Sequence, residues 1–150
     1  MPQVNSQRTN VLSQIVSLCN KVGDGAYFVR RGAINWSEFD FSQHRAGISI
    51  LTPEFTLLGR EFNSMVITLE ICQKILSTDR SYDLADGLTD LDIEGLVEDA
   101  RVVIVDLSTS RDASGNPYIL RIVDNKIDGQ ELANLDFSIQ GVNITFTVEY

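Results

Sequence analysis

Leu135-Asp-Phe-Ser-Ile-Gln-Gly-Val-Asn-Ile-Thr-Phe-Thr-Val-Glu-Tyr150 decides the fold of this chain. Leu135, Phe137 and Ile139, then Val142, Ile144, Phe146, Val148 and Tyr150, alternate with Asp, Ser, Gln, Asn, Thr and Glu. A period of two is the mark of a β-strand with one face buried. The apolar phase slips from odd to even numbers at Gly141. A one-residue slip exchanges the faces of a strand, so Gly141 is expected to be a bulge or bend that lets both halves bury their apolar side. A strand so strongly patterned at a chain end is expected inside the sheet or paired with a neighbouring subunit.

Working outward, residues 64–74 repeat the pattern. Met65, Ile67, Leu69 and Ile71 share one face, and Thr68, Glu70 and Cys72 the other, as in a half-buried antiparallel strand. Residues 47–58 read as extended, with Pro53 favouring an edge or a bulge and Gly59 as the stop. Residues 25–30, Gly-Ala-Tyr-Phe-Val-Arg, form a short strand ahead of a polar and aromatic loop over 33–44. Residues 118–123 resume strand character after the turn composition of 108–117, and Asp128-Gly129 marks another turn.

Two segments have helical spacing instead. In 6–22, Val11, Leu12, Ile15, Val16 and Cys19 form one stripe, with Asn5 or Ser6 to cap it and Gly23 to stop it. After an acidic stretch over 77–89, read as an exposed or locally mobile loop, Thr89 or Asp90 caps a second helix. Its stripe is Ile93, Leu96, Val97, Ala100, Val103, Ile104 and Leu107, although Val102-Val-Ile-Val105 also suits a strand. The fold class is therefore α+β: a mixed, mainly antiparallel twisted sheet flanked by two helices, in one domain spanning residues 1–150.

Composition narrows the function. The net charge of -9, from 12 Lys+Arg against 21 Asp+Glu, opposes a non-specific grip on phosphate backbone. Nine of the basic residues are arginines, at 8, 30, 31, 45, 60, 80, 101, 111 and 121, which suits ion-paired protein contacts. The opening MPQVNSQRTN has neither a basic nor an apolar signal region, and no apolar run is long enough to span a bilayer, so the expectation is a cytosolic site of synthesis with no membrane partner. Without a secretory signal the sequons at Asn35 and Asn143 carry no meaning. Cys19 and Cys72 match neither a disulfide framework nor a zinc site and read as buried free thiols.

Candidate chemistry is sparse. His44 has no second histidine to work with. The acidic series Asp83, Asp86, Asp90, Asp92, Glu94, Glu98 and Asp99 matches no calcium loop, since Gly87 in the turn position would make Tyr82 the first ligand. Asp124, Asp128 and Gly129 are in loop register, but Lys126 and Leu135 stand where ligands are required. Solvated acidic surface is the simpler reading of both. No phosphate-loop, dinucleotide or nucleophile-elbow motif occurs. Trp36, Phe39 and Phe41, interleaved with Glu38 and Asp40, are expected to serve as core or subunit contact. No catalytic, metal or cofactor residue is assigned, and the expectation is a protein that is not an enzyme.

Three features carry a family resemblance: the opening amphipathic segment Arg8-Thr-Asn-Val-Leu-Ser-Gln-Ile-Val-Ser-Leu18, the pair of strands ending Val66-Ile-Thr-Leu-Glu70, and the terminal Val142-Asn-Ile-Thr-Phe-Thr-Val-Glu-Tyr150. In the order helix, strand, two long strands, helix, strand and closing strand, the chain resembles the tail-terminator (tail-completion) proteins of long-tailed bacteriophages. The resemblance implies a structural virion protein, assembled in the host cytoplasm as a homohexameric ring that caps the tail tube at the neck. Its implied partners are copies of itself, the tail tube protein, the head connector, a sheath protein if the tail is contractile, and DNA sliding through the lumen without specific binding. The alternatives are another neck or head-completion adaptor, a metal-dependent hydrolase using Asp124 and Asp128, and a ligand-binding domain with an apolar pocket.

Overall fold

The computed structural model describes residues 2–44, 46–56, 64–75, 86–133 and 138–150. Helix α1 spans Pro2–Lys21, followed by strands β1 (Tyr27–Arg31), β2 (Ala46–Thr56) and β3 (Ser64–Ile75). Helix α2 (Asp86–Thr109) precedes β4 (Arg121–Ala133) and β5 (Ser138–Glu149). The five strands lie in the order β1-β2-β3-β5-β4, with β1 parallel to β2 and every other pair antiparallel. This is the expected α+β class with a mixed, mainly antiparallel sheet, and β5 is inside it, as its alternation demanded.

Both helices cover one face. Val11, Leu12, Ile15 and Cys19 of α1 and Leu96, Ala100, Val103 and Leu107 of α2 are buried with the inward rows of the strands, among them Ile48, Ile50, Met65, Ile67, Leu69, Ile71, Val142, Ile144, Phe146 and Val148. Continuous rows of Ile, Leu, Val and Phe two residues apart are what a helix layer needs to bury. Val103 and Leu107 are buried while Val102 and Val105 are exposed. The run 102–105 is therefore helical, because its burial follows 3.6 and not 2.

Helix boundaries differ from the sequence reading. Asn5 and Ser6 lie inside α1, whose start has Pro2, a residue with its φ already set for a first helical turn. Thr89 and Asp90 lie inside α2, which opens at Asp86, so 86–89 are helix and not loop. The remainder of the 77–89 loop, and Gly59, fall outside the described residues. Gly23 does stop α1: Gly23, Asp24 and Gly25 have φ of 60°, 57° and 76°. The turn reverses the chain into β1 through the left-handed region that glycine adopts without steric cost.

Three turn and bulge expectations resolve in particular ways. The β2–β3 register shifts between Leu51 and Glu54, around Pro53, as a proline inside a strand requires. Asp128-Gly129 is no turn: both residues lie in β4, opposite Asn143 and Val142. The irregularity sits earlier, where the register shifts between Val123 and Lys126 and Asp124 has φ 52°. Strand β4 begins at Arg121, so Tyr118–Leu120 of the expected strand precede it. Gly141 is not a bulge either. The pairing Ile71↔Val142, Cys72↔Gly141, Gln73↔Gln140 runs through it without a shift.

The phase slip has another cause. Ile139 is buried on the opposite face of the sheet, in a second cluster with Ile34, Trp36, Phe41 and Cys72. The loop over 32–44 folds across this end of the sheet, so β5 buries one face at Ile139 and the other from Val142 onward. Gly141 is needed for closeness: an added Cβ would stand 2.6 Å from Cys72 Sγ and 2.9 Å from the Ile71 carbonyl oxygen. Leu135 and Phe137 lie outside the described residues.

Candidate interaction surfaces

The aromatic loop is core. Trp36 and Phe41 are buried, and Phe39 packs between them with ring centroids 5.4 Å and 4.7 Å away. Gly47 of β2 makes room, since a Cβ there would approach Phe39 Cζ and Trp36 Cζ3 at 3.2 Å. Asp40 folds the segment by accepting from Ser42 Oγ and from the Ser42 and Gln43 amides, and these bonds hold its carboxyl below its ordinary pKa. His44 stacks at the edge of this group, 4.9 Å from Phe28 and 6.0 Å from Phe39.

Among the described residues the acidic candidates do not converge on a common site. Glu98 is exposed and paired with Arg101 at 2.9 Å. Asp99 accepts a 2.5 Å hydrogen bond from the Tyr27 hydroxyl and ties α2 to β1. Desolvation, with the carboxylate as acceptor, pushes the Tyr27 phenol far above its usual pKa. Asp124 is exposed at the β4 irregularity, and Asp128 lies further along the same strand. Asp83 falls outside the described residues, and Asp86, Asp90, Asp92 and Glu94 are distributed along the first turns of α2. Among the described residues no three His, Cys, Asp or Glu gather as metal ligands.

Cys19 and Cys72 are free and buried on opposite sides of the sheet, one on the buried stripe of α1 and one on β3 under the aromatic loop. Burial pushes both thiols up to about 12, far from the range of a reactive thiolate. No helix among the described residues is long and apolar enough to cross a membrane.

Among the described residues the sheet ends in two lateral margins. At one, β1 pairs with β2 only over Ala46–Ile50, so the rest of β2 extends past it as a step. A recess of about 250 Å³ sits there, lined by Leu12, Arg31, Gly32, Ile50, Leu51 and Thr52. At the other margin β4 is the outermost strand, 13 residues long. Between β4 and α2 runs an apolar groove of about 230 Å³, bounded by Val97, Ile104, Ile127 and Ile144 with Arg101 and Asn125. Ile127 is 51% exposed and Leu120, just before β4, is 64% exposed. Arg121 anchors the start of β4 through a 2.6 Å ion pair with the buried Glu149.

The helical and strand periods foreshadow none of these margins, because strand order is a tertiary fact. The one signal available was the exposed apolar residue in the wrong phase: Ile127 beside Asp124 and Asp128. Compared with protein-family models and with curated proteins, the chain matches none.

Proposed function

We propose that the chain is a structural virion subunit: a tail terminator that forms a homohexameric ring at the phage neck, caps the tail tube and joins it to the head connector. The observation that carries this reading is the element order α1, β1, β2, β3, α2, β4, β5 with β5 held between β3 and β4, the order on which the resemblance rests. The two unlike margins add support, since a ring subunit must present two different and mutually complementary sides. The chain has no catalytic role in this reading. Its partners are its own copies, the tail tube protein, the head connector and, in a contractile tail, the sheath protein. A net charge of -9 lets DNA pass through a lumen without adhering.

Native mass spectrometry and light scattering across protein concentration and salt test the proposal. A six-subunit particle that images as a ring with a central hole is the expected result. A strictly monomeric chain at every concentration rejects it. Another neck or head-completion adaptor is the alternative; a ring that co-sediments with connectors but not with tail tubes selects it.

A further inference from the structure

We infer that the outer edge of β1 is a docking site for an extended acidic segment of a different protein, added to the sheet as a further strand. The inference goes beyond the ring reading and does not rest on it. Among the described residues β1 pairs only with β2. Gly32 turns its backbone toward β2, donating to the Ile50 carbonyl and accepting from Ser49 Oγ. Successive residues of a strand direct their N–H and C=O groups to alternate sides, so Phe28 and Arg30 share the side of Gly32, while Tyr27, Val29 and Arg31 face outward. No further backbone bond among the described residues reaches those three. A row of open backbone groups is a template for an added strand.

The side chains of this edge specify an acidic strand. Arg30 and Arg31 are the charges of β1, and both are exposed. Among the described residues neither joins an ion pair. The acids nearest in sequence, Asp24, Glu38 and Asp40, stand in the flanking turn and loop, and the Asp40 carboxylate is engaged by Ser42 and Gln43. Tyr27 and Val29 pack into the helix-side core, and Phe28 packs against Phe39 and His44. By alternation Arg31 lies on the helix side of the edge and Arg30 on the loop side. Residues opposite one another in paired strands share a face, and opposite charges there are stabilising. Two adjacent acids in an added strand therefore meet the two guanidinium groups, one on each side. Short charged edge strands resist indiscriminate pairing; this edge repels a basic strand and admits an acidic one.

The flanks add two apolar positions. On the helix side, just past Arg31, lies the recess of about 250 Å³ with Leu12, Ile50 and Leu51 in its wall; on the loop side Phe28 is 38% exposed. An added strand gains burial by placing an apolar side chain at each. The recognised pattern is therefore apolar, any, acid, acid, any, apolar, which reads the same in either chain direction. A second copy of this chain does not supply it. The only adjacent pair of acids in the sequence is Glu98 and Asp99, and it lies in α2 with Glu98 paired to Arg101 and Asp99 bonded to Tyr27. The occupant is accordingly a segment of another protein.

The test uses the full-length protein and a capped, labelled peptide of alternating threonine and valine with two glutamates at its centre, Thr-Val-Thr-Glu-Glu-Thr-Val-Thr; a counterpart has two lysines there. Binding is followed by fluorescence anisotropy, and backbone amide exchange by mass spectrometry. The glutamate peptide is expected to bind at least about tenfold more tightly than the lysine peptide and to slow exchange at Val29 and Arg31. R30E/R31E is expected to reverse the preference. Circular dichroism checks its fold; if it does not fold, R30Q/R31Q replaces it and must abolish the preference. A glutamate peptide that fails to bind at about millimolar concentration overturns the inference and leaves the arginines as guards of a closed edge. A preference that the arginine variants leave unchanged overturns it as well. Binding without slowed exchange in β1 reduces the contact to ion pairing and overturns the added strand. A peptide that instead dissociates a wild-type oligomer shows a second copy on this edge and overturns the choice of partner. The ring reading is tested separately by particle mass, so either can fail alone.

Discussion

Replacing Gly141 with alanine tests whether two sheet faces meet at that residue. The new Cβ would stand 2.6 Å from Cys72 Sγ, 2.9 Å from the Ile71 carbonyl oxygen and 3.6 Å from Cys72 Cα. The first contact can be relieved by turning the thiol, but the second is with the backbone of the paired strand and requires β3 and β5 to part. Overpacking of this kind costs about 1–3 kcal/mol. Alanine also restricts the unfolded chain, which returns about 0.4–1 kcal/mol. The net loss is therefore on the order of 1–2 kcal/mol, or roughly 2–8 °C in Tm for a chain of this length. Urea unfolding followed by far-ultraviolet circular dichroism measures it. In the double variant G141A/C72A the Sγ contact is gone, so the two substitutions should couple by about 0.5 kcal/mol or more in the rescuing direction. A neutral or stabilising G141A refutes the close approach. A destabilising G141A with no coupling to Cys72 points instead to a conformational demand at Gly141 of the kind a bulge would impose.

Both thiols should resist an aromatic disulfide reagent at pH 8 in the native protein and react fully in guanidinium; fast native reaction of either contradicts its burial. Because folding raises both from the ordinary 9.0 to about 12, the unfolded chain loses these protons first. Stability should hold below pH 9 and fall from pH 9 upward by about 1.4 kcal/mol per pH unit for each thiol, joined above pH 10 by the raised phenol of Tyr27; substituting Cys19 with alanine should halve the slope between pH 9 and 10. Tyr27→Phe removes the hydrogen bond to Asp99 and should cost about 1–2 kcal/mol, given a charged acceptor at a half-buried site; a change below about 0.5 kcal/mol in urea unfolding would show that the bond contributes little. Phe41→Ala should cost about 3 kcal/mol by emptying the second cluster. It should also shift the emission of Trp36, the sole tryptophan, to the red under native conditions, and unchanged emission would separate the loop from the sheet.

Periodicity made the helices, the long strands and the buried position of β5 legible, because each is dictated by a face that must leave water. It failed wherever one strand serves two faces. Ile139 and Val142 are both buried, yet on opposite sides, and alternation alone cannot tell a change of face from a bulge. It also failed at Asp128-Gly129, where turn-forming residues lie within a long ladder and the pairing of β4 with β5 overrides local preference. Cap residues inside the helices had the same effect at Asn5, Ser6, Thr89 and Asp90. For the candidate surfaces the limit is more basic. Arg30 and Arg31, and Arg121, Asp124 and Lys126, are visible as charges, but only the strand order places the two groups on opposite margins.

The chemistry of the back of the sheet suits the proposed association less well than the margins do. The sheet's inward face is covered by α1 and α2 except along the groove between α2 and β4, and one end of the outward face by the aromatic loop. The remaining outward rows are half-buried and mostly polar: Val66, Thr68 and Glu70 on β3, and Asn143, Thr145 and Thr147 on β5. Thr68 and Thr145 are hydrogen-bonded across the strands at 3.1 Å. An apolar partner laid on this surface would strip water from hydroxyls and from the Glu70 carboxylate without replacing their bonds, a cost of about 1–3 kcal/mol for each neutral group and more for a charged one. Strand addition at β1 or β4 has the opposite balance. The edge N–H and C=O groups exchange water for a ladder, and the apolar residues beside them, Leu51 at one margin and Ile127 at the other, lose contact with water in the same step.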